Sequence, residues 1–353
     1  MNGVVKRVAV VLFNLGGPDS PEAVEPFLRN LFSDPAILRV PALVRRFLAP
    51  FLARRRAATA RGIYARIGGR SPILEQTRAQ AVALDTALAA RSSTQSFRSF
   101  VAMRYWHPFI GEAAAAVQAY APDRIILLPL YPQLSTTTTE SSIGEWQRVV
   151  QAKGIAAPLQ AICCYPGESG FIAAAAALVR EAYEPAAASG PTRLLFSAHG
   201  LPEKVVKSGD PYQWQVERTA KAIVARLAIP GLDWRVCYQS RVGPLKWIGP
   251  STDSEINRAG AEGKAVVLFP IAFVSEHSET LVELDIEYRE LAHRAGVRAW
   301  RRVPTVGTHP AFIDGLVDLV LQALADPAEP VCNDRTMPAC PRQFSACPRL
   351  RQT

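Results

Sequence analysis

His199 stands in Phe196-Ser197-Ala198-His199-Gly200-Leu201-Pro202, directly behind an apolar run. A strand ending there presents the imidazole at a rim, not in the core. Imidazole titrates near neutrality and can bind a metal ion or take a proton. A second group lies further on. Glu279, Glu283 and Glu287 are spaced i, i+4, i+8, so a helix places them in one row. Such a row is most often a solvated face, and an acid at a helix N-terminus is favoured by the macrodipole in any case. Here the row begins just past the apolar run Ala265–Phe273, where a helix start would meet a cleft. His277 and Glu279 are two residues apart, ~200° around an α-helix. If both face one ligand, the first turn must be irregular or π-like, a geometry that gathers at functional sites.

Other chemistries have no motif here. There is no Walker loop, no G-x-G-x-x-G, no HExxH and no Ser-His-Asp pattern, and Gly16-Gly17 is too little to cradle a phosphate. Tyr131, Trp247 and Phe273 singly read as core aromatics. Taken with the histidine, the acid row and a basic apolar segment, they suit a large, flat, anionic and apolar ligand together with a divalent cation.

That segment carries the whole charge imbalance. The net charge is +9, and the stretch Ala36–Leu74 holds nine arginines and no acidic residue. The arginines interleave with Leu, Val and Phe, without stacking aromatics or Gly-rich loops, so nucleic acid is excluded in favour of anionic lipid or an anionic apolar ligand. Leu43, Val44, Phe47, Leu48, Phe51 and Leu52 form a helical stripe, with Arg45 and Arg46 off it. Pro50 should kink or break that helix. Core packing is the competing account of the stripe.

The elements that must position these residues follow from periodicity. With 353 residues and 49% hydrophobic composition the chain is globular, long enough for about two domains. No apolar run approaches the ~18 residues of a membrane span, and Val8–Phe13 reads as a buried strand, not a signal peptide. Strands apolar on both faces are expected at Val8–Phe13, Phe100–Tyr105, Arg124–Tyr131, Leu159–Cys164, Arg193–Ala198, Arg235–Tyr238, Ala265–Phe273 and Val297–Val303. Ala-rich helical stretches alternate with them, which means α/β with parallel sheets. The rhythm repeats: Ile126–Tyr131 parallels Val267–Ala272, and Val10–Pro18 parallels Leu194–Pro202. The expected division is 1–165, 166–330 and a tail 331–353, with ligands at the carboxyl ends of strands, facing a cleft between the halves.

The six cysteines are too few and too uneven for a secreted disulfide framework. Cys332, Cys340 and Cys347 fall in a polar, Pro-containing tail with little capacity to pack. Four thiolates are the usual requirement of an iron–sulfur cluster or structural zinc. The Cys163-Cys164 pair, ending a first-domain strand, is the best source of a fourth, whereas Cys237 sits inside a second-domain strand and reads as core. Structural zinc and plain thiols are the alternatives.

The sequence resembles the ferrochelatase family over roughly residues 7–325. The residues that carry the resemblance are Asn14–Pro18, Tyr64–Pro72, Arg104–Pro108, Leu130–Gln133, Ser197–Pro202, Gly209–Tyr212, Tyr238–Pro244 with Trp247, and Ser275–Tyr288. The resemblance implies two similar Rossmann-like domains with parallel sheets and a porphyrin cleft between them. It implies insertion of Fe2+ into protoporphyrin IX, the last step of haem synthesis. His199 falls on the catalytic histidine, and His277, Glu279 and Glu283 on the π-helix site; His199 and Glu279 would meet the substrate iron. Porphyrin contacts are implied for Leu15, Arg55, Arg56, Tyr64, Arg104, Tyr131, Trp247 and Phe273. Leu15 replaces the family's usual Met or Tyr, which alters packing against one ring face and removes no proton carrier. His199 is expected on one face of the ring and Glu279, backed by Glu283 and His277, on the other. Some members carry a C-terminal cysteine cluster holding [2Fe-2S] with one internal cysteine. The internal position found in animal-type members reads Thr136 here, so Cys163 or Cys164 would replace it beside Cys332, Cys340 and Cys347. The reading is a cytoplasmic enzyme with peripheral contact at the inner face of an anionic membrane, and a homodimer is left open. Coproporphyrin III is an alternative substrate. A sirohydrochlorin chelatase would want a more polar, multiply basic cleft, and a non-enzymatic haem or iron–sulfur sensor would not need His199, Glu279 and Glu283 together.

Overall fold

In the computed structural model the described residues are 6–241, 243, 245–325, 340–348 and, for their backbone, 331–332. Two compact units emerge. The first runs through Tyr131, resumes over Ser135–Cys163 and takes back the chain from Leu319. The second comprises Pro132–Leu134, Cys164–Asp318 and the tail from Cys332. They are not two consecutive halves, because the helix Pro310–Ala325 is shared between them.

In the first unit β1 (Lys6–Asn14), β2 (Gln95–Met103), β3 (Arg124–Pro129) and β4 (Leu159–Cys164) pair in parallel in the order β2-β1-β3-β4. β1 is central and buried from Val8 to Asn14, which is why it reads as an unbroken apolar run. One face packs Ala9, Val11 and Phe13 against Ala113, Val117 and Trp146. In the second unit β5 (Thr192–His199), β6 (Asp233–Gln239), β7 (Ala265–Pro270) and β8 (Trp300–Arg302) form the parallel sheet β6-β5-β7-β8. Its core joins Leu195, Cys237, Val266 and Leu268 to Leu284 and Tyr288, so Cys237 is the core residue expected. A two-residue strand, β9 (Val331–Cys332), follows β4 at the edge of the first sheet.

All eight expected runs contain a strand, but four end sooner than the apolar pattern, β8 by one residue at Arg302. β3 stops at Pro129 and β7 at Pro270, where proline offers no N–H to the ladder, and β2 stops at Met103. Tyr105, Tyr131 and Phe273 therefore lie in the loops beyond the carboxyl ends.

The basic helix Ala42–Ala65 runs through Pro50 without the expected break. Ala49, Ala53 and Ala57 are buried on one face, and Ala53 packs with Val24, Phe27 and Leu28 of the helix Val24–Ser33. Tertiary packing thus outweighs the ~3 kcal/mol that an interior proline costs. The apolar stripe is outside. Leu43 and Phe47 are 70% and 69% exposed, and Val44 and Phe51 are exposed as well. That excludes core packing for those four. Among the described residues no helix is long and apolar enough to cross a membrane.

Candidate active site

In the second unit, β5 and β6 end side by side. Their register sets His199 opposite Gln239, and the chain leaves β6 at Ser240. Gly200 is required by close approach: a Cβ there would lie 2.9 Å from the Gln239 carbonyl oxygen and 3.3 Å from the Trp247 ring. This contact seats Trp247 next to His199, and an isolated bridge to Pro202 holds the Trp247 backbone.

The acid row is carried by a π-helix, Glu279–Glu287. It begins at Glu279, so His277 stands just before it. His277 is buried, its ring 4.6 Å from that of Phe273 and its Nδ1 3.2 Å from the Ser275 carbonyl oxygen. Glu279 Oε2 lies 3.0 Å from His199 Nδ1. Glu283 accepts from the Ser240 N–H at 2.8 Å, Ser240 Oγ at 2.5 Å, Gln239 Nε2 at 3.3 Å and the Tyr288 hydroxyl at 3.2 Å. Tyr288 is five residues from Glu283, and the i→i+5 turn brings the two together where an α-helix would not. Glu287 is exposed, so the third acid of the expected row is a solvated residue outside the group.

The charges separate within this cluster. Burial disfavours the charge on His199, yet Glu279 at 3.0 Å, with Glu283 behind it, lifts the imidazole above its ordinary pKa. Burial alone would raise Glu279, but His199, and then His277, hold it well below the usual carboxylate range. Glu283 is raised, by burial and by the Glu279 charge, against the pull of Ser240. Tyr212 is buried, with its hydroxyl at the His199 backbone.

His199 and Glu279 cannot flank a porphyrin. A flat ring in van der Waals contact on both faces needs about 7 Å between the flanking atoms, not 3.0 Å. The two side chains form one hydrogen-bonded pair, at odds with the expectation that they stand on opposite faces of the ring.

In the first unit, the loops after β1, β2 and β3 carry Leu15, Arg104 and Tyr131. The Arg104 and Tyr105 N–H groups donate to Asn14 and Leu15 carbonyls at 2.9 and 3.0 Å. Gly16, at φ +85°, allows this approach, since a Cβ would lie 3.1 Å from the Trp106 nitrogen. Arg104 is anchored on buried Asp34 at 2.8 Å and donates to Ser141 Oγ at 2.8 Å, while Asp34 also accepts from the Tyr105 hydroxyl at 2.7 Å. Tyr131 packs on the first core. Tyr64 is buried in a second cluster with Tyr105, with Leu15 and Trp106 at its edge. Arg55 and Arg56 are exposed on the basic helix. Sequence reasoning missed Ser240, Tyr288, Asp34 and Ser141. Ser240 and Tyr288 lay inside quoted motifs, but only backbone geometry reveals what they hold.

The tail docks on the second unit. Phe344 stacks on Trp214 at 5.5 Å, and Ser345 fills the space over Gly209. Gln215 Nε2 donates to Cys164 Sγ at 3.4 Å and Cys340 Sγ at 3.5 Å. A hydrogen bond with Cys347, then burial, pushes the Cys340 thiol well above its ordinary pKa, with Cys164 adding to the shift. Cys163 is buried and disulfide-bonded, although a reduced state was expected of it. The Cys332 side chain lies outside the described residues. Among the described residues no three His, Cys, Asp or Glu side chains already converge as a metal cage.

Solved structures place the fold. SirB from Bacillus subtilis, determined with Fe3+, aligns with TM-score 0.52 at 14% identity, covering 91% of this chain and 96% of that one. DR2241 from Deinococcus radiodurans, described as structurally similar to chelatases, aligns with TM-score 0.50 at 14% identity, covering 92% and 56%. The architecture is that of the chelatases, two α/β units with parallel sheets. The family comes from sequence. The ferrochelatase family model matches residues 7–324. The ferrochelatase of Caulobacter vibrioides is 53% identical over 348 residues, 98% of each chain, and that of Phenylobacterium zucineum 54% over 318 residues, 90% and 92%. This chain belongs to the ferrochelatase family, enzymes that insert ferrous iron into protoporphyrin IX.

Proposed function

We propose that metal insertion is carried by the His199–Glu279–Glu283 relay acting on one face of the porphyrin. Two pyrrole protons must leave as Fe2+ enters. Neutral His199 accepts them one at a time, each passing to solvent by way of Glu279 or Glu283 before the next is taken, and the carboxylate not so engaged takes the incoming cation. Iron approaching Glu279 competes with the imidazolium for that carboxylate and drives the proton off His199, so arrival of the metal generates the base. His277 backs Glu279. The family resemblance supports Trp247, Phe273, Leu15, Arg104 and Tyr131 as residues that contact the ring. Tyr64 holds the packing beneath Leu15, and Arg55 and Arg56 are free to meet propionates. Remote contacts of this kind can supply the ~1–5 kcal/mol that bends the ring and exposes its lone pairs. The observation that supports the relay most is the 3.0 Å His199–Glu279 pair at the ends of the second sheet. Anaerobic mixing with Fe2+ and protoporphyrin should release two protons per haem formed. Haem formation only at the rate seen without protein would refute the reading.

The exposed stripe Leu43, Val44, Phe47 and Phe51 with its arginines is read as a peripheral contact for anionic lipid. Such apolar patches mark interaction surfaces, and each basic residue near an anionic bilayer contributes ~1 kcal/mol. Replacing Arg45, Arg46, Arg54, Arg55 and Arg56 by Gln should abolish most co-sedimentation with anionic vesicles. Equal sedimentation of variant and wild type would leave the segment to the substrate alone.

The cysteines suit a [2Fe-2S] cluster by donor chemistry. Cys164, Cys340 and Cys347 are thiols, the first two accepting from Gln215 and Cys340 hydrogen-bonded to Cys347. Cys332 would be the fourth sulfur once the Cys163 disulfide is reduced, and the group, when bound, would provide a one-electron centre and tie the tail to the second unit. The purified protein should be red-brown with iron and acid-labile sulfide in equal amounts. Cys164→Ser should lose the colour and Cys163→Ser keep it. A colourless protein from anaerobic purification would remove the cluster, and the reverse pattern would make Cys163 the ligand.

A further inference from the structure

We infer that Ser240 is a positioning residue that fixes the two active-site carboxylates relative to each other. The inference rests on the reading of Glu279 and Glu283 as the metal-handling pair. Ser240 sits one residue past the end of β6, at φ +60°. This left-handed conformation is uncommon for a residue with a side chain. It aims the backbone N–H and the hydroxyl the same way. The N–H reaches Glu283 Oε1 at 2.8 Å and Oγ reaches Glu283 Oε2 at 2.5 Å, so both oxygens of one carboxylate are held by one residue.

The same Oγ lies 3.3 Å from Glu279 Oε2. A hydroxyl has one proton to donate. Oγ can give it to Glu283 at 2.5 Å or to Glu279 at 3.3 Å, so one hydroxyl within reach of both carboxylates ties their positions together. Gln239 and Tyr288 also donate to Glu283, but among the described residues only Ser240 donates to both acids. A glycine would adopt this backbone with less strain, so what serine contributes is the hydroxyl. Groups that orient metal-binding carboxylates typically govern metal affinity by 10–100-fold, and that is the role assigned here.

The test compares Ser240→Gly and Ser240→Ala with wild type and with Glu279→Gln. Ser240→Gly removes the hydroxyl, keeps the N–H contact and relaxes the backbone. Its KM for Fe2+ should rise about tenfold, with kcat within about threefold. Anaerobic titration of Fe2+ without porphyrin should show the same weakening, while porphyrin affinity and thermal stability are retained. Ser240→Ala should show the same rise in KM with a Tm below that of Ser240→Gly, since alanine keeps the Cβ strain at this φ that glycine relieves. A merely structural serine would move Tm and leave the Fe2+ KM alone. Wild-type Fe2+ affinity in Ser240→Gly, or a loss confined to porphyrin binding, overturns the inference. If Glu279→Gln also leaves Fe2+ binding and turnover intact, the underlying reading fails with it. If Glu279→Gln is crippled and Ser240→Gly is silent, only the role of Ser240 fails.

Discussion

His199→Ala should lower the rate of iron insertion by ~10²–10⁴, the usual effect of removing a general base, while porphyrin binding stays near wild type. Its side chain is 38% exposed and makes one strong contact, with Glu279. Deleting it opens space to solvent, not a cavity in the core. Stability should respond in one pH range only. The folded-state pKa of His199 is raised. Its pairing therefore stabilises the fold fully below the unfolded value of about 6.5 and is lost as pH rises through the folded value. Thermal unfolding of His199→Ala should fall below wild type in mild acid and converge with it in alkali. Anaerobic turnover close to wild type would remove His199 from the chemistry.

Glu279→Gln should be the second most damaging change, with a large loss of kcat, and Glu283→Gln should cost less. The amide at 279 keeps the shape but removes the charge that both favours the imidazolium and attracts iron. Glu283 already has a raised pKa and four donors around it, so an amide there resembles its protonated form. Loss of the Glu279 charge also lets the pKa of His199 fall. Since neutral imidazole is the acceptor, the acid limb of the pH–rate profile should move to lower pH in Glu279→Gln. An unchanged rate and profile would return the acid row to a solvated helix face.

Much of this was legible in the residues. Strands buried on both faces, such as Val8–Phe13 and Leu194–Phe196, announce parallel sheets because no alternation is needed where both sides are covered. His199 before Gly200 announced itself, since a strand end followed by glycine leaves room for a ring. The spacing of His277 and Glu279 pointed to a non-α turn only if both met one ligand, and a π-helix begins at Glu279. Three features were not readable. Ser240 draws its importance from a positive φ that no composition rule assigns to serine. Helix continuity through Pro50 depends on the alanine face packed beneath it, a tertiary effect. That His199 and Glu279 form one hydrogen-bonded pair follows only from their 3.0 Å separation, because sequence distance carries no information on which side of a ligand two loops approach.

The most direct test of the account is a double-mutant cycle on that pair. His199→Ala, Glu279→Gln and the double variant are compared in kcat/KM for Fe2+ insertion into protoporphyrin under anaerobic conditions. Groups that act as one unit are strongly non-additive. The account predicts that the double variant is about as impaired as the worse single one. Losses that multiply, as for two independent groups on opposite faces of the ring, would contradict it.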